Sequence, residues 1–207
     1  QQPASSRGPE RHGVSLPHVQ HEKLEGAPTL QSEGQGPGDD ARGQAAGDRH
    51  RGYRPGVPGK SRQNPPWVEI SSSQSAVRVP RKKLRALVGL VASAEGVRLS
   101  EVDIAVVARE EIVRLNRRWL GRRRATDVLS FDLSGPAERG LSAQIIVCGD
   151  VAAEQARARG LGVQRELMLY VVHGLLHLMG YDDGDAESAE TMHAREQELL
   201  DAFRRRG

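Results

Sequence analysis

The chain has 207 residues, but nine of its eleven prolines and eleven of its 23 glycines precede Trp67, so a packed unit has to come from the remaining 141. That is a common length for one domain and too short for two large ones. Net charge is only +3, with nine basic and seven acidic residues before Trp67 and 21 and 20 after it, which excludes a uniformly basic nucleic-acid coat and leaves any RNA or DNA contact to local clusters.

Cys148 is the only cysteine, which rules out an intrachain disulfide and a Cys-rich zinc finger. No apolar run approaches the roughly 18 residues needed to span a bilayer. The stretch Gln1–Ser15 lacks the apolar core of a secretory signal, and the expected location is cytoplasmic.

Residues 1–66 mix Gly, Pro, Gln, Ser, Arg and His without an apolar period. Such a segment buries too little surface to offset an ordering cost of about 1–2 kcal/mol per residue, and a disordered leader is expected. Its histidines, His12, His18, His21 and His50, are too scattered for a metal-ligand pattern and read as part of a solvated tail.

The pattern changes at Trp67, where a folded domain over 67–207 is expected to begin. Trp67–Ile70 and Val77 read as extended pieces. Pro80 suits a helix start, and Leu84, Leu87, Val88 and Val91 follow at helical spacing. Val102–Ala108 reads as a buried strand, and Glu110–Trp119 as a helix with Ile112, Leu115 and Trp119 on one side. Val128–Phe131 and Gln144–Cys148 read as strands around a Gly/Pro loop. Asp150 is placed to cap a helix over Val151–Arg159, which Gly160 and Gly162 end. A long helix over about Gln164–Met179 stops at Gly180, and a last one covers about Ala186–Phe203. This order predicts an α+β fold, a small mixed β-sheet packed with helices, and leaves the sheet topology open.

The stretch His173-Gly-Leu-Leu-His177-Leu-Met-Gly180-Tyr-Asp182-Asp183 carries the most chemistry. Residues i and i+4 share a helix face about 5–6 Å apart, so both imidazoles can reach one ion. A turn at Gly180 can bring Asp183 back as a third ligand. Two histidines, one carboxylate and a position left to water make up an open catalytic zinc site. A His pair in an apolar helix also arises from packing alone, but the added glycine turn and acid are rarer. Asp185 competes as the oxygen ligand, Asp182 could instead orient a histidine ring, and His193 is expected to face solvent.

The six arginines Arg114, Arg117, Arg118, Arg122, Arg123 and Arg124 cluster between the second helix and Thr126-Asp-Val-Leu-Ser-Phe131. They read as a solvated basic helix end or as a phosphate-contact surface, and Trp119 among them as a core anchor rather than a stacking platform. Val128–Phe131 is expected near the site, with Thr126 and Asp127 closing the preceding turn.

These motifs together, over roughly residues 77–203, resemble the YbeY family of rRNA maturation factors, which are metal-dependent bacterial endoribonucleases. The resemblance implies a zinc-dependent, single-strand-specific endoribonuclease acting in 16S rRNA 3′-end processing and ribosome quality control. It further implies one Zn2+ on His173, His177 and Asp183, and the small ribosomal subunit and biogenesis factors as partners; Arg118 and Arg122 are the candidate RNA contacts that could stand in for the family's arginine. The family motif usually ends in a third histidine where this chain has Asp183, and an arginine tied to the family's activity falls on Leu120. The Asp183 exchange lowers the site's charge by one and makes its water less acidic. HExxH peptidases need a glutamate where this chain has Gly174, so no general base is assigned. A ribosome-biogenesis RNA-binding factor with a structural metal is the alternative reading, and a metallohydrolase for another substrate is a weaker third.

Overall fold

The computed structural model describes residues 67–206. The leader and its four histidines lie outside the described residues. The elements run β1 (Trp67–Ser72), α1 (Arg81–Glu95), β2 (Leu99–Val107), α2 (Arg109–Leu120), β3 (Val128–Asp132), β4 (Leu141–Cys148), α3 (Gly149–Arg159), α4 (Val163–Leu178) and α5 (Ala186–Arg206). The expected α+β order is therefore observed, with boundaries moved by a few residues.

The four strands form one sheet in the order β1-β2-β4-β3. β1, β2 and β4 are parallel, and β3 runs antiparallel to β4. Connection length accounts for the mixture. The parallel pairs β1/β2 and β2/β4 are joined by crossovers containing α1 and α2, whereas β3 and β4 are joined by a short loop that reverses the chain.

Alternation along the strands sorts side chains between two apolar layers. Val102, Ile104 and Val106 of β2, with Ala143, Ile145 and Val147 of β4, face the layer completed by α1, α4 and α5. Ala105 and Val107, with Ile146 and Cys148, face the smaller layer completed by Ile112 and Leu115 of α2. Strands covered on both sides read as nearly continuous apolar runs. Helix α4 is buried along most of its length, from Glu166 to His177, because the sheet, α1, α3 and α5 all pack around it.

Asp150 behaves differently from the expectation. It sits in the first turn of α3 but caps another helix: its Oδ2 accepts the Arg109 N–H at the start of α2, at 2.8 Å. Helix α3 has Cys148 at its N-cap and no side-chain cap.

Candidate metal centre

Helix α4 sets Glu166, Tyr170, His173 and His177 along one stripe, and the last two meet. The imidazoles lie at 85° with centroids 4.4 Å apart, and their Nε2 atoms are 3.0 Å apart. Gly180 takes φ +98°, a backbone conformation that a side chain would oppose. The turn there aims the Tyr181 carbonyl back at His177 Nδ1, 3.0 Å away, and brings Asp183 Oδ1 to 3.8 Å from His177 Nε2. One donor atom from each of His173, His177 and Asp183 lies within 4.8 Å of the others, and this group of three could hold a metal ion.

The donor set fits a cation. Ligand–metal distances of about 2.0–2.2 Å at a tetrahedral angle separate donor atoms by about 3.3–3.6 Å. The observed 3.0 and 3.8 Å bracket that range. The Asp183 side chain is only 7% exposed, and Glu196 and Asp127 are buried nearby, so carboxylates surround both rings.

Each ring is oriented from behind. His173 Nδ1 donates to Glu196 Oε1 of α5 at 2.7 Å, and His177 Nδ1 to the Tyr181 carbonyl. Both Nδ1 atoms carry hydrogen bonds, so both Nε2 atoms face the shared centre. Burial alone would lower the His173 pKa, but the Glu196 bond and the Glu196, Asp127 and Asp183 charges outweigh it, and the pKa rises. His177 is lowered to about 4, first by burial and then by repulsion from His173. That keeps His177 neutral at physiological pH, the form that ligates metal.

Several sequence expectations shift. Asp182 shapes the turn, its Oδ1 accepting the Asp183 and Gly184 N–H groups, and its charge acts on His177. Asp185 does not compete for an ion, because its carboxylate accepts the Glu187 and Ser188 N–H groups and the Ser188 hydroxyl at the start of α5. His193 is partly covered, with Nδ1 3.2 Å from Glu196 Oε2. Asp127 does more than close a turn: it is buried, accepts the Val128 N–H and Thr126 hydroxyl, and acts electrostatically on His173. Burial raises its own pKa against the pull of His173 and these bonds.

The arginine cluster runs from Arg114 inside α2 through the helix's last turn into the loop beyond it. Arg118 is exposed with its guanidinium 5.2 Å from the Trp119 ring centre, and Trp119 packs edge-on against Phe131 at 6.0 Å, as a core anchor does. Arg122 follows Gly121, and its N–H donates to the Asn116 carbonyl. Leu120 packs against the smaller apolar layer. None of these belongs to the group of three donors.

A family model described as Endoribonuclease YbeY matches residues 69–204. The protein named Endoribonuclease YbeY from Renibacterium salmoninarum is 42% identical over 112 residues, covering 50% of this chain and 71% of its own. One of the same name from Anaeromyxobacter sp. is 39% identical over 136 residues, covering 65% and 71%. The solution structure of TM1509 from Thermotoga maritima is 28% identical, covers 66% of this chain and 88% of its own, and superposes with a TM-score of 0.47. The family match spans nearly all of the described residues and takes in the three donors, and the chain belongs to the endoribonuclease YbeY family.

Proposed function

We propose that this protein is a zinc-dependent endoribonuclease that cuts single-stranded RNA, acting in the cytoplasm on the 3′ end of 16S rRNA and in ribosome quality control. Residues 67–207 form the catalytic unit, with the leader outside it. The observation that carries the reading is the convergence of His173, His177 and Asp183 on one point, with both rings turned inward by buried hydrogen bonds. His173, His177 and Asp183 would hold one ion, which would supply Lewis acidity toward a phosphoryl oxygen and lower the pKa of a bound water.

The chain's own groups do the rest. Glu196 holds the His173 proton on Nδ1 and leaves Nε2 as the donor. Gly174 lies against the sheet and supplies no base. Arg118 and Arg122 bind RNA phosphate beyond the ligands, where positive charge offsets the developing anion. The small ribosomal subunit and its biogenesis factors are the partners.

The test pairs wild type with His177→Ala on single-stranded and duplex RNA, with metal content measured on the same samples. The reading expects about one ion per chain, cleavage confined to single strands, and loss of both ion and cleavage in the variant. Metal-loaded wild type that leaves single-stranded RNA intact overturns it. The alternative, an RNA-binding biogenesis factor with a structural metal, draws on Leu120 standing where the family's arginine is expected. It predicts ribosome association that survives His177→Ala.

A further inference from the structure

A cleft of ≈ 710 Å³ opens at the carboxyl end of β1, between the loop after that strand, the first turn of α1 and Gln164 at the start of α4. Its loop wall is fixed. Gln74 Nε2 donates to Ser72 Oγ at 3.0 Å and to the Val77 carbonyl at 3.1 Å, and Gln74 Oε1 accepts the Val77 N–H at 2.9 Å. The same side chain lies against Gly149, where an added Cβ would come within 2.8 Å of Oε1.

The charge there is one-sided. Val77 and Val79 pack onto the main core, so Arg78 between them is exposed. Helix α1 then opens with Arg81, Lys82 and Lys83, all exposed. From Ser71 to Ala94 the chain holds five cations and no acid. Arg81 and Arg85 are anchored through Nε to the Ile70 and Val68 carbonyls of β1, at 3.4 and 3.1 Å. Among the described residues no carboxylate pairs with Arg78, Lys82 or Lys83. A helix's first turn favours acids and opposes cations, yet this one carries three cations, no acid and no side-chain cap. Helix stability does not account for that arrangement, and a polyanion does.

We propose that this cleft is a second RNA site, which grips the phosphodiester backbone of a single strand away from the metal centre. The inference rests on the ribonuclease reading above. Gln164 and His177 stand about 20 Å apart along α4, so the site would hold a part of the strand distant from the cut. Among the described residues no aromatic side chain lines the cleft, so the grip there does not depend on base identity.

The experiment measures anisotropy of an uncleavable 2′-O-methyl oligouridine with the full metal-loaded chain over a salt series. Unmodified RNA is assayed for cleavage in parallel. Neutralising Arg78→Gln, Lys82→Gln and Lys83→Gln together lowers the slope of log K against log salt by about 2, and Lys82→Gln alone by about 0.7. Removing the same number of charges at the end of α5, with Arg204→Gln, Arg205→Gln and Arg206→Gln, leaves the slope unchanged. A cleft variant with the wild-type slope, or equal losses in both triple variants, overturns the proposal, and wild-type cleavage in the same assay then leaves the nuclease reading intact. Wild type that neither binds nor cuts RNA overturns both.

Discussion

Glu196 of α5 accepts the Nδ1–H of His173 of α4 at 2.7 Å, with both side chains buried. The two residues are far apart in sequence and meet only because α5 packs along α4. The bond fixes the tautomer of one ligand and raises its basicity. Glu196→Ala is expected to weaken metal binding about 10–100-fold, and Glu196→Gln, which keeps an acceptor but loses the charge, by less. Competition against a chelator of known affinity gives the number. An unchanged affinity in Glu196→Ala would show that packing alone holds the ring.

The two histidines make the metal-free fold sensitive to pH in opposite senses. His177 is lowered to about 4, so between that value and the ordinary histidine value near 6.5 the unfolded chain binds the extra proton. Stability then falls as pH drops through this window. His173 is raised, so its contribution is present below about 6.5 and is lost as pH climbs through its folded value. Together they place the pair's stability maximum near 6.5 in chelator. Thermal melts of wild type and His177→Ala from pH 4 to 8 are expected to differ most on the acid side, where the variant lacks the decline due to His177. Parallel acid limbs would refute this account.

Gly174 follows His173 and turns toward the sheet. A Cβ there would lie 3.3 Å from Ile145 Cγ2 and 3.4 Å from Val128 Cγ2, both on buried β-branched side chains. Alanine would gain up to about 1 kcal/mol of helix propensity, but overpacking costs about 1–3 kcal/mol, so Gly174→Ala is expected to lose roughly 1 kcal/mol net. Gly174→Glu adds an unpaired buried carboxylate and is expected to lose about 4 kcal/mol or to abolish folding. Urea titration separates these outcomes. A stable Gly174→Glu protein would mean that the helix can lift from the sheet at this point.

The same contrast explains what the sequence could disclose. His173, His177, Gly180 and Asp183 lie within one helix and its exit turn, so local geometry already brings them together. The element order is readable too, because the apolar period changes between elements, in most cases beside a Gly or Pro. Glu196 and Asp127 reach the centre only through tertiary packing, and no spacing rule ties either to His173. Asp182 and Asp185 show the converse. Both are near in sequence, but Oδ1 of each accepts neighbouring N–H groups and serves the turn and the start of α5. The position of β3 at the sheet edge depends on strand pairing, which periodicity does not encode.

Asp150 gives a sharper case of local appearance and tertiary role diverging. Its place after Cys148-Gly149 resembles a cap for α3, yet its Oδ2 accepts the first N–H of α2, and Arg109 reaches back to Glu154 of α3 at 2.5 Å. These contacts tie the start of the helix that ends in the arginine cluster to the start of α3. Asp150→Ala is expected to cost about 1 kcal/mol, the usual loss for an N-terminal cap, and Asp150→Asn only a fraction of that because an acceptor remains. Hydrogen exchange distinguishes the two roles by location. In Asp150→Ala the first-turn amides of α2 are expected to exchange faster while those of α3 keep their protection. Faster exchange confined to α3 would return Asp150 to the role its sequence position implies.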